Sequence, residues 1–163
     1  MRWLPLAFSL LACGQGAVAP SSSALTPALS PEAAGELSRA GVPVLLLPAE
    51  YEANLQAVGG EHFFSMTAVG DDYHSVLLQG TNVVHHPAPQ GEAIPAPRWD
   101  VRGVPARTTM NEGQRLVTWG EAGAFYTLEV ECHRLPMEDV RCTAPDFAMA
   151  IAERLQPFTG AAQ

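Results

Sequence analysis

The chain contains no lysine: all nine basic residues are arginine, set against 17 acidic residues, for a formal net charge of −8 over 163 residues. An acidic chain without a basic cluster has no electrostatic footprint for nucleic acid or for anionic lipid head groups. Neither is expected as a partner of the folded surface. Cysteine is scarce too, with three in all, Cys13, Cys132 and Cys142, and none spaced as a metal finger requires. The motifs of nucleophilic and metal catalysis are missing. Ser65 in "FFSMT" and Ser75 in "DYHSVLL" lack the glycines of a nucleophile elbow, and there is no HExxH pair and no Gly-rich phosphate loop. No apolar run approaches the roughly 20 residues that cross a bilayer core. No catalytic residues, no metal and no cofactor are expected.

What is present begins at the N-terminus. The amino group and Arg2 precede an apolar stretch from Trp3 to Ala12, then small residues, which is the layout of an export signal over residues 1–12. Ala17 and Ala19 suit the general signal peptidase, but Pro20 would follow that cut and obstruct it. Leu10, Leu11, Ala12 and Cys13 instead resemble the bacterial lipobox. The resemblance implies that the Cys13 thiol receives a diacylglyceryl group and becomes the first mature residue. Acyl chains contribute about 0.8 kcal/mol per buried CH₂, so several of them hold a protein to its membrane. Gly14, where an aspartate would favour inner-membrane retention, points to the outer membrane of a diderm cell, with the protein facing the periplasm or exterior. Residues 13–29, with "QGAVAPSSSALTPA" after the cysteine, read as a flexible tether reaching on the order of 20 Å.

Residues 30–158 have the length of one small globular domain, and 159–163 read as a disordered tail. The expected class is α+β: an antiparallel, meander-like sheet of about five to six strands between an N-terminal and a C-terminal helix. Ser30, Pro31 and Glu32 start a helix expected to run to Ala40 before Gly41. Val42 to Leu47 reads as a strand, and Tyr51 to Val58 as a helical turn or two before Gly59 and Gly60. The period then becomes two. Phe64, Met66 and Ala68 share one face and Phe63, Ser65 and Thr67 the other, followed by a turn at Gly70 to Asp72, a strand through Val76 and Leu78 that completes a hairpin, and another strand segment through Val83 and Val84. Pro87 to Pro97 is a loop by composition, Arg98 to Val104 a strand, Asn111 to Gly113 a turn. A hairpin then closes over Gly120 to Gly123. Its second strand places Tyr126, Leu128, Val130 and Cys132 on one side, with Phe125, Thr127, Glu129 and Glu131 on the other. Thr143, Pro145 and Asp146 resemble the start of a capped helix whose stripe is Phe147, Ile151 and Leu155, beside Ala148 and Ala152.

The stretch from Trp99 to Cys132 with the later "FAMAIAERL" resembles the C-terminal half of envelope modules found with anti-sigma-factor regulators and lipoprotein-carrier-like proteins. Gly103, Trp119, Gly123, Tyr126, Ala152, Glu153 and Leu155 carry that resemblance. It implies a binding or sensing domain in the envelope, without catalytic residues to carry over. Trp99, Trp119, Phe125 and Tyr126 are the candidate lining for an apolar or peptide ligand, with core packing as the competing reading. An exported chain folds where disulfides persist, and with Cys13 lipidated the remaining count is even, so Cys132 and Cys142 are expected to pair.

Two functions follow. One is a membrane-anchored envelope lipoprotein acting as a non-catalytic binding, sensing or assembly module, with the membrane as partner through Cys13 and an envelope protein as a further candidate. The other is a metal-dependent hydrolase built from His62, His74 and one of His85 and His86, with Glu61, Asp71 and Asp72. That reading requires His62 and His74 to lie close together across a hairpin; His133 is the fifth histidine.

Overall fold

A computed structural model describes residues 29–71, 74–83, 96–134 and 138–160. The lipobox, Cys13, most of the tether, Asp72, Val84, His85 and His86 lie outside them, as do Pro87 to Pro95 and residues 161–163 of the tail. The chain forms α1 (Pro31–Leu37), β1 (Leu45–Leu46), a 3-10 turn (Ala49–Asn54), β2 (Gln56–Gly60), β3 (Phe63–Asp71) and β4 (His74–Thr81). It continues through β5 (Trp99–Val101), β6 (Val104–Asn111), β7 (Gln114–Glu121), β8 (Ala124–Cys132), α2 (Val140–Thr143), α3 (Asp146–Glu153) and β9 (Gln156–Pro157).

The class is α+β and the main sheet is antiparallel throughout, but it has seven strands rather than five to six, in the order β2-β3-β4-β8-β7-β6-β5. It consists of two meanders, β2-β3-β4 and β5-β6-β7-β8, zipped together where β8 lies beside β4. Strand alternation then divides the sheet. In register, Met66, Leu78, Leu128 and Val117 form one cross-strand row on the inner face, and all four are fully buried. The core on that side also takes Leu37 of α1, Leu45 to Leu47, Tyr51, Cys142, and Ala148, Ile151 and Ala152 of α3. Full burial of one such aliphatic side chain contributes roughly 1.5–3 kcal/mol.

Several local expectations need correction. Gly59 and Gly60 do not break the chain before the sheet; they lie inside β2. A Cβ on Gly59 would sit 2.0 Å from the Glu36 carbonyl oxygen, so glycine is there to let the end of α1 press on the strand. The helical segment expected to reach Val58 ends at Asn54, α1 stops at Leu37 instead of Ala40, and the strand expected over Val42 to Leu47 pairs only at Leu45–Leu46, with β9. β3 continues through Gly70, which was expected in the turn, and β4 stops at Thr81, so Val83 lies beyond it. Arg98 to Val104 is not one strand but two arms of a hairpin, turned at Arg102 and Gly103 with φ of 53° and 78°. The turns at Glu112–Gly113 and Ala122–Gly123 repeat that left-handed pair, the requirement of two-residue type I′ hairpins. Thr143 caps no helix. Asp139 caps α2 through the Arg141 N–H, while α3 starts after Pro145 without a side-chain cap.

Candidate functional site

The four aromatic residues expected to share a pocket are divided by the sheet. Trp119 and Tyr126 are paired across β7 and β8 on the inner face, stacked with centroids 5.3 Å apart, and both are buried. Phe125 points to the opposite side, as alternation along β8 demands, and Trp99 lies at the far edge on β5. Tyr126 donates a hydrogen bond to the Pro43 carbonyl at 2.9 Å, and Trp119 Nε1 donates to Glu121. The same Glu121 receives the Arg102 guanidinium, whose NH1 also reaches the Leu155 carbonyl, while the Arg102 N–H donates to Glu153 at 2.9 Å. The residues carrying the envelope-module resemblance therefore meet at one end of the sheet, where Arg102 ties the β5–β6 turn to the end of α3. The Arg102 hydrogen bond holds the Glu121 carboxyl below the usual range, and burial pushes the Tyr126 hydroxyl up to about 12.

At the other end, Cys132 on β8 and Cys142 on α2 form a disulfide, with Cα atoms 6.2 Å apart. Beside it His74, directly across from Cys132, is buried. Its Nδ1 lies 3.2 Å from Arg141 NH1 and its Nε2 3.2 Å from the Tyr51 hydroxyl. A guanidinium carries only donors, so Nδ1 accepts and Nε2 holds the proton that faces Tyr51. Asp139 grips Arg141 through both carboxylate oxygens, and that side-chain hydrogen bond lowers its pKa. Arg115, also buried, donates to the Cys142 and Thr143 carbonyls at the end of α2. These contacts fasten α2 to the sheet.

The described histidines, His62, His74 and His133, do not converge. His62 sits in the exposed β2–β3 turn, where its carbonyl accepts from Thr81 Oγ1, whereas His74 begins β4 at the opposite end of the β3–β4 hairpin. Nine residues of β3 separate those ends, about 30 Å at strand rise. His133 is exposed beyond β8. No group of three possible metal ligands occurs among the described residues.

The chemically unusual surface is the outer face of the sheet, on which no described element packs. It carries Val58, Phe63, Val69 and Phe125, exposed by 54%, 44%, 44% and 50%. Phe63 and Phe125 flank Thr81 in one cross-strand row. Their rings lean apart, Phe63 over Gly60 and Phe125 over Gly120. The column Thr81, Gln79, Leu77, Ser75 along β4 is left between them. One end of that column meets a row in which Leu77, Glu129 and Leu116 are neighbours on β4, β8 and β7. Glu129 makes no hydrogen bond or ion pair among the described residues, and burial, then Glu131, raises its pKa. The alternation of β3 and β8 puts Phe63 and Phe125 on this face, and the sequence singles out Phe125 for ligand contact but groups it with Trp119 and Tyr126, which face the other way. The signal was two phenylalanines where serine and threonine set the pattern. Ser65 and Ser75 lie on this face as strand residues; Glu131 stands across from Ser75 on β8, and no hydrogen bond joins the two. Compared with family models, curated proteins and solved structures, the chain matches none.

Proposed function

We propose that the chain is a membrane-anchored envelope lipoprotein that acts as a non-catalytic binding, sensing or assembly module. Lipid on Cys13 would hold it to the membrane, outer in a diderm cell, and the tether would let the folded unit present its outer sheet face to a partner in the periplasm or exterior. The observation that carries this reading is that open face, with two phenylalanines and two valines exposed where an ordinary solvated sheet is polar. The Cys132–Cys142 bond supports an oxidising compartment, and no described helix is long and apolar enough to cross a membrane. Among the described residues the metal-hydrolase alternative lacks the pair it requires, since His62 and His74 stand at opposite ends of a hairpin.

The test has two arms. Metabolic palmitate labelling should mark the native chain in the membrane fraction and not Cys13→Ser; a labelled Cys13→Ser, or a native chain released as soluble protein, overturns the anchor. A photo-crosslinking amino acid at Phe125 should join the chain to one envelope protein in cells, while the same group at exposed Ala150 on α3 should not. Identical patterns at the two positions, or none at Phe125, overturn the binding face.

A further inference from the structure

The outer face has a shape and a charge that together specify an occupant. Phe63 and Phe125 stand one strand to either side of β4, about 10 Å apart at sheet spacing, which is roughly the width of an α-helix with its side chains. Their lean over Gly60 and Gly120 opens the column between them instead of closing it. Four residues along β4 from Thr81, Leu77 marks the row where Glu129 sits between Leu77 and Leu116. Glu131 follows on the same face of β8, while Arg107 is on β6, two strands from Glu129. A carboxylate set among leucines, with no partner among the described residues, is an unfilled half of an ion pair.

Resting on the reading of this face as the binding surface, we propose that it takes a cationic amphipathic helix from a partner protein, laid along β4 between Phe63 and Phe125, with a basic side chain on Glu129. Charge decides against the other occupants. A second copy docked face to face would bring two Glu129 and two Glu131 into one interface, and like charges there cost affinity. The most exposed part of this chain's own α3 carries Asp146 and Glu153, which are also acidic. An anionic membrane surface meets the same repulsion from a chain of net charge −8. Geometry adds a spacing rule. The Phe row and the Glu129 row are four strand residues apart, about 13 Å, which is about nine helical residues at 1.5 Å per residue; of the spacings that keep two side chains on one helix face, about seven, eight and eleven, eight comes nearest, at about 12 Å.

The probe is a labelled 16-residue alanine-rich peptide whose leucine stripe carries one lysine eight residues from its first leucine, compared with a twin bearing glutamate there. Fluorescence anisotropy with the whole chain should show binding of the lysine peptide and none of the glutamate twin. Glu129→Gln should weaken the complex about fivefold and added salt should do the same, as for a partly desolvated ion pair. Phe63→Ser and Phe125→Ser, both at half-exposed sites that the core does not use, should each weaken it at least tenfold, on the scale of an aromatic anchor. If both serine variants weaken binding while Glu129→Gln and the glutamate twin bind as well as the originals, the charge-reading helix is overturned and the binding face stands. If the serine variants bind the lysine peptide as the native chain does, the peptide sits elsewhere and the helix site between Phe63 and Phe125 is overturned. Failure of the lysine peptide to bind, or capture of the chain by anionic vesicles through Phe125, also overturns the proposal, whereas the in-cell crosslink from Phe125 reports on the binding face independently.

Discussion

Tyr126 lies flat on Trp119, its ring plane 18° from parallel, and the same Tyr126 side chain reaches out of the sheet to the carbonyl of Pro43. One residue thus joins the β7–β8 hairpin to the segment after α1. Tyr126→Phe keeps the stack and removes only the hydrogen bond, so it should cost about 1 kcal/mol. Tyr126→Ala removes the ring and should cost on the order of 3–5 kcal/mol. There is a pH signature as well. The folded hydroxyl holds its proton to about 12 because it is buried and faces Glu121, with Arg102 opposing, while an unfolded tyrosine releases it near 10. The native state therefore binds more protons between those values. Stability that is present below about pH 10 is lost as pH rises towards about 12, and urea titrations should show Tyr126→Phe lacking that decline.

Reduction of the Cys132–Cys142 bond should lower stability by on the order of 2–3 kcal/mol in the chain-entropy account, for a bridge spanning ten positions. Cys132→Ser with Cys142→Ser should behave as the reduced native chain does. The loosened part should be local. Hydrogen exchange should speed up in α2 and at His74 before β7 or β8 respond, because Arg115, Arg141 and the disulfide all converge on α2. Equal acceleration across the whole sheet would contradict this.

Ala122 is held at φ 50° in a hairpin turn, a left-handed conformation that an alanine adopts at a cost. Asparagine tolerates it better and is preferred at this turn position. Ala122→Asn should therefore stabilise the chain by about 0.5–1 kcal/mol, read as a higher denaturation midpoint at unchanged slope. Ala122→Val, β-branched at the same φ, should do the reverse.

The limits of the sequence reading follow from distance along the chain. Alternation is local, so the faces of β3 and β8 and the inward side of Cys132 were legible residue by residue. The same alternation already put Phe125 and Tyr126 on opposite sides, which a shared pocket ignored. Glycines misled where their reason is tertiary: Gly59 reads as a break, but it sits in a strand because Glu36 of α1 lies against it. The β5–β6 turn was missed because its first left-handed residue is an arginine, Arg102, which is uncommon there and is held by Glu121, Glu153 and Leu155, up to 53 positions away. The His74 contacts to Tyr51 and Arg141 span 23 and 67 positions. No periodicity encodes such pairings.

The carboxylates offer a test in which two groups should respond with opposite signs. The Arg102 side chain, by hydrogen bond first and charge second, holds Glu121 below the usual carboxylate range. Glu129 is pushed the other way, by burial among its neighbours and then by Glu131. An unfolded glutamate titrates near 4.3. For Glu121 the native state binds fewer protons than the unfolded one, so its contribution is present above that value and is lost as pH falls through the lowered native pKa. For Glu129 the native state binds more, so stability is highest below about 4.3 and is lost as pH rises through the raised pKa. Glu121→Gln should therefore destabilise the chain at pH 7, by under about 1 kcal/mol since the pair is partly exposed, and the deficit should shrink towards pH 3. Glu129→Gln should instead stabilise at pH 7 by a few tenths of a kcal/mol and become indistinguishable from the native chain at pH 3. Chemical denaturation of the three proteins at both pH values checks this. A Glu129→Gln gain that persisted at pH 3 would mean that glutamine packs better there, and that the charge is not what the row between Leu77 and Leu116 resists.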